Sequence, residues 1–63
     1  MEKTTNKDQA IKEAVRTKSY FPFRICYIFA HKATPDFWEV GCATTMRSAN
    51  ALARKGATVE VLS

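Results

Sequence analysis

Glycine is scarce in this chain. Gly41 and Gly56 are the only two, which leaves no Gly-rich loop to cradle a phosphate. Histidine occurs once, as His31, so no H-x-x-x-H ligand pair exists, and the two cysteines, Cys26 and Cys42, lack C-x-x-C spacing. Cys26, His31, Asp36 and Cys42 are the residue types of a zinc site without its spacing, and the expectation is no metal and no cofactor. Two cysteines are also far from a disulfide framework, and inside a cell they stay free thiols. No apolar run approaches the roughly 20 residues of a membrane span. The opening MEKTTNKDQAIKE mixes both signs of charge and has no apolar segment, unlike a secretory signal or a transit peptide. These absences predict a cytoplasmic protein with no membrane partner.

Catalytic constellations are missing as well. No two carboxylates are spaced for paired acid–base work, and a Cys–His nucleophile pair fails because Cys26 falls in the middle of an apolar strand, which hides its thiol. The chain reads as not an enzyme.

What is present is charge of one sign and aromatic bulk. Ten Lys and Arg against six Asp and Glu give a net charge of +4 over 63 residues, with a pI near 9.4. That balance favours acidic partners, either nucleic acid or an acidic protein surface. The length allows one domain, residues 1–63, and a domain this small buries only about 60% of the surface its unfolded chain exposes. Most of the aromatic residues nevertheless lie in FRICYIFAHKATPDFWEVGCA, residues 23–43.

Thr5 or Asn6 can cap a helix running to about Thr17, with Asp8 in its first turn and bases gathering towards its end. Ala10, Ile11, Ala14 and Val15 form its narrow apolar stripe. This helix, within residues 1–18, is expected to be loosely attached to a ββαβ core over residues 20–63. After Pro22 a strand spans Phe23 to Ala30, with Phe23, Ile25, Tyr27 and Phe29 on one face and Arg24, Cys26, Ile28 and Ala30 on the other. HKATPD turns at Thr34 and Pro35 into a second strand, FWEVGCA. Thr44 or Thr45 caps a second helix that puts Met46, Ala49, Leu52 and Ala53 on one face. Gly56 ends it in a left-handed conformation. ATVEVL, residues 57–62, is the third strand.

The expected fold is α+β: an N-terminal helix, then β-β-α-β, forming a three-stranded sheet with a helix packed on one face. A right-handed crossover makes the third strand parallel to the second and places it beyond the first, giving sheet order 2-1-3. A hairpin centred on Thr34 sets Cys26 against Cys42, Ile28 against Val40, Ala30 against Trp38, Tyr27 against Gly41 and Ile25 against Ala43. Phe23, Ile25 and Phe29 are assigned to the core. The N-terminal stripe has only Ile11 and Val15 as bulky groups, so it covers its sheet face in part. Some of Tyr20, Phe21, Phe37 and Trp38 should then stay exposed at one end of the sheet, near Lys18, Arg24 and Lys32. Aromatics and Arg dominate interface hot spots, so the protein-binding candidates are Tyr20, Phe21, Lys32, Phe37 and Trp38.

GCATTMRSANALA, residues 41–53, resembles the end of the small integrase arm-type DNA-binding domains, in which a strand passes through a Gly and a Thr-capped start into an Ala-rich helix. That resemblance implies a DNA- or RNA-binding regulator, with Arg24, Lys32, Arg47, Arg54 and Lys55 on phosphates. In architecture and size the chain is similar to small phage-encoded accessory proteins made early in infection, among them a short inhibitor of bacterial RNA polymerase. That resemblance implies a stoichiometric inhibitor or modulator of a host protein, acting in the host cytoplasm through exposed rings or a sheet edge. It is the leading expectation, and the nucleic-acid regulator is the alternative. Self-association into a homodimer through an open strand edge is a third possibility.

Overall fold

The first helix begins where a side chain can cap it. In the computed structural model, which describes residues 4–62, α1 (Lys7–Tyr20) follows Asn6, whose side-chain oxygen accepts from the Gln9 N–H at 3.3 Å. The helix runs three residues past the expected Thr17. Thr17 and Ser19 donate their hydroxyls back to the Glu13 and Arg16 carbonyls, at 2.8 and 2.7 Å, so both hydroxyls are satisfied within the helix. It stops at Phe21, which precedes Pro22 and leaves the helical region at φ −130°, ψ 69°.

Three strands follow the expected order: β1 (Ile25–Ala30), β2 (Trp38–Ala43) and, after α2 (Arg47–Arg54), β3 (Thr58–Val61). The sheet is ordered β2-β1-β3 with both neighbours antiparallel to β1, so the fold is α+β as the sequence pattern implies. The β1–β2 register is Cys26↔Cys42, Ile28↔Val40, Ala30↔Trp38, Tyr27↔Gly41 and Ile25↔Ala43, also as expected.

Alternation then sorts the sheet into two faces. Cys26, Ile28 and Ala30 look towards α1, which lies over β1 and β2. Ala10 and Ala14 are buried there with Ile28 and Val40, ringed by Ile11, Trp38 and Leu62. The helix is therefore part of the core and not a loosely attached arm. Its stripe works because it is made of small residues: two alanines let the helix backbone come close to the sheet, so little bulk is needed, and Val15 stays exposed. Lys7 at the start of α1 pairs with Glu60 of β3, and its ammonium sits 5.1 Å from the centre of the Trp38 ring.

The other face carries Ile25, Tyr27 and Phe29, with Gly41 and Ala43 from β2 and Val59 and Val61 from β3. Tyr27 is buried because its ring lies over Gly41. A Cβ built on Gly41 would come within 2.5 Å of the ring, so only glycine leaves room. Tyr27, Phe29 and His31 then form an aromatic row, with centroids 5.9 and 5.3 Å apart.

Helix α2 packs along β3 and departs from expectation at its start. The cap residue is Met46, which makes no side-chain cap bond, while the Thr45 hydroxyl reaches only the Arg47 N–H at 3.3 Å. Its buried face is narrower than the pattern suggests: Ala49 is buried and Leu52 half-buried, but Met46 and Ala53 are exposed. The end is as expected. Gly56, at φ 92°, donates to the Ala53 carbonyl and Ala57 to the Leu52 carbonyl, the paired bonds of a Schellman stop.

Candidate protein-binding surface

The segment between α1 and β1 is a turn and not the start of a strand. The Arg24 N–H donates to the Phe21 carbonyl at 2.9 Å, closing Phe21-Pro22-Phe23-Arg24 as a β-turn with proline at its second position, where its fixed φ is favoured. Phe23 is thereby placed at the turn's apex and is 94% exposed. This corrects its assignment to the core. The Pro22 signal was in the sequence, but the alternation of FRICYIFA hid it.

The turn is braced on both sides. The Lys18 ammonium donates to the Arg24 carbonyl at 2.5 Å, and the Arg24 guanidinium lies 4.7 Å from the centre of the Phe21 ring. Tyr20, 66% exposed, and Phe21 complete an exposed group of three rings with two cations.

The remaining protein-binding candidates lie at the other end of the sheet. Lys32 and Phe37 flank the β1–β2 connection, where Thr34 donates to the His31 carbonyl and Phe37 to the Thr34 carbonyl, giving two successive turns. The six residues of β1, about 17 Å from first to last, separate this end from the Phe21–Arg24 turn. The structure thus brings Phe21 and Arg24 together, with Tyr20 next in the chain at the end of α1, adds Phe23, and leaves Lys32, Phe37 and Trp38 elsewhere. Phe37 is exposed, whereas Trp38 is half-buried against the core and exchanges both of its backbone hydrogen bonds with Thr4, at 3.0 and 2.7 Å. That bridge covers the outer edge of β2 at Trp38, where an open edge is expected from the sequence.

The phosphate-contact candidates divide in the same way. All five are exposed. Arg24 and Arg47 fall towards the turn end, and Lys32, Arg54 and Lys55 towards the other, where the Lys32 side chain runs past Gly56. His31 sits with its Nε2 3.2 Å from the Glu39 carboxylate, about 16 Å along β1 from Cys26 and on the opposite face. Among the described residues no three His, Cys, Asp or Glu side chains are grouped to hold a metal, and no helix is long and apolar enough to cross a membrane.

Cys26 and Cys42 are free thiols with their sulfurs 2.9 Å apart. Burial, the hydrogen bond with Cys26 and the charge of Cys26 push the Cys42 thiol from 9.0 up to about 11, against a smaller opposing pull from Arg24 and Lys18. The folded state holds this proton more tightly than the unfolded chain does. Stability from the neutral thiol is therefore complete below pH 9.0 and is lost as pH rises to about 11. Under reducing conditions the stability advantage of wild type over Cys42→Ser should shrink across that window in urea titrations. A difference that does not change with pH would contradict this assignment.

Set against known protein families, curated proteins and solved structures, the chain matches none.

Proposed function

We propose that the chain is a non-enzymatic binding protein, an inhibitor or modulator of a host protein of the kind phages and mobile elements encode, and that Tyr20, Phe21, Phe23 and Arg24 form its contact. The observation that carries this reading is Phe23. A phenyl ring 94% exposed on a braced turn adds nothing to its own fold, yet it offers a partner a large apolar group already in place. Binding through such a group avoids much of the cost of ordering a flexible loop. Aromatic residues with Arg at the centre of a patch are the usual hot-spot composition. No chemistry of its own is assigned to the chain.

The DNA- or RNA-binding reading rests on the five exposed bases and makes a different prediction. Its affinity for duplex DNA should fall by about 0.9 log units per phosphate contact for each tenfold rise in salt, and Phe23→Ala should leave it unchanged.

The test is affinity capture from bacterial lysate at physiological salt, followed by titration of the captured protein with wild type and with Phe23→Ala. Removing the ring should leave the melting curve in place, since an exposed side chain contributes within about 0.5 kcal/mol. It should weaken binding about 30-fold, the loss of about 2 kcal/mol that defines a hot spot. A captured protein that binds Phe23→Ala as tightly as wild type, or salt-steep DNA binding with no protein captured, would overturn the proposal.

A further inference from the structure

The two cysteines stand directly opposite each other, and the backbone shows which kind of opposite pair they form. Trp38 turns both its N–H and its C=O outward to Thr4, so Ala30↔Trp38 is a non-hydrogen-bonded pair. The ladder alternates strictly, and Ile28↔Val40 and Cys26↔Cys42 share that character. The Cys26 carbonyl agrees independently: it accepts the Leu62 N–H at 3.1 Å, on the β3 side and away from β2. In such pairs the Cα atoms lie about 4.5 Å apart, within the range of about 4.4–6.8 Å that a disulfide spans. The sulfurs already touch, at 2.9 Å. Joining them requires a shift of about 0.9 Å to reach bonding distance and no change of register.

We propose that Cys26 and Cys42 are a thiol–disulfide exchange site that takes a small-molecule disulfide, such as oxidised glutathione, and becomes a cross-strand disulfide. Accessibility sets the order of events. Cys26 is fully buried under α1 and Cys42 only partly, so Cys42 is the entry thiol. Its thiolate attacks one sulfur of the oxidant. The oxidant's S–S bond breaks, one glutathione thiolate leaves with the electron pair and takes up a proton, and a Cys42–glutathione bond forms. Cys26 then gives up its proton and attacks the Cys42 sulfur, and the second glutathione leaves as a thiol. Two protein thiols are oxidised by two electrons, and one disulfide is reduced to two thiols. Lys18 and Arg24 act on Cys42 through their charge and favour both its thiolate and an anionic oxidant. The high proton affinity of Cys42 makes the reaction slow at neutral pH and faster as pH rises.

The new bond would join residues 16 apart in sequence. Closing a loop of that length restricts the unfolded chain enough to raise the melting temperature by about 12–24 °C. The full chain, incubated folded with oxidised glutathione at mildly alkaline pH, should lose about 2 Da, the two thiol hydrogens, with Cys26 and Cys42 both protected from alkylation and the melting temperature raised. Cys26→Ala should stop at a glutathione adduct on Cys42, and Cys42→Ala should stay unmodified while folded. Wild type that remains reduced, or that ends as glutathione adducts or intermolecular dimers, would overturn the proposal, as would Cys42→Ala reacting as fast as Cys26→Ala. If the alanine variants do not fold, the mass and alkylation pattern of wild type decide it alone.

Discussion

Ile28→Ala is expected to leave a large fraction of the molecules unfolded at room temperature. Ile28 is the largest fully buried side chain, at the centre of the cluster that joins α1 to the sheet through Ala10, Ala14 and Val40. Two of its partners are alanines fixed in a helix close to the sheet, and they cannot extend to fill the space its side chain vacates. Burying an aliphatic side chain and then truncating it costs about 2–5 kcal/mol, with the larger values where the site cannot collapse. At about 0.05–0.15 kcal/mol per residue, a domain of this length has roughly 3–9 kcal/mol in all. The measurement is a urea titration followed by far-UV circular dichroism, which should show the midpoint fall steeply or the folded baseline disappear. A loss under about 1 kcal/mol would mean that α1 does not pack on this face.

Gly41→Val is the second large effect, and its cause is the opposite one. A Cβ at position 41 would lie 2.5, 2.6 and 2.8 Å from the Cε2, Cζ and Oη atoms of Tyr27. The ring cannot swing away freely because it is buried in the row it forms with Phe29 and His31. Overpacking a site like this costs about 1–3 kcal/mol, even though valine is the better strand former on an open surface. The sign is diagnostic. Tyr27→Ala costs stability alone, but in its presence Gly41→Val should become nearly neutral, giving a coupling of about 1–3 kcal/mol in a double-mutant cycle. Additive losses would mean that the ring does not lie over Gly41.

The parts of the fold that could be read from the sequence are those governed by period and by local turn chemistry. Two strands around Thr34-Pro35 with alternating residues admit one register, because a one-residue slip would exchange the faces of Ile28 and Tyr27. Gly56 could be assigned its left-handed stop from position alone. Three features needed tertiary information. Phe23 fits the alternation of the strand that follows it, yet the Phe21–Arg24 hydrogen bond takes it out of the ladder. The α1 stripe looks too small to cover a sheet face, since counting bulky residues ignores how closely an alanine face can approach. Trp38 carries the signature of an exposed edge residue, and only the pairing with Thr4 and the Lys7 ammonium over its ring turn it inward. The candidate site was legible in composition but not in position: its rings and bases are all present in residues 18–38, and the 17 Å or so between the two ends of β1 divides them.

The proposal that Phe23 meets a partner is tested most directly by placing a photo-crosslinking benzoyl-phenylalanine at position 23, and in a parallel sample at Thr34 at the far end of the sheet, then irradiating each in bacterial lysate at physiological salt. The predicted result is one dominant protein adduct from position 23, suppressed by excess unlabelled wild type but not by excess Phe21→Ala, with none from position 34. Adducts of equal yield from both positions, or none from position 23 while the labelled protein stays folded, would contradict it.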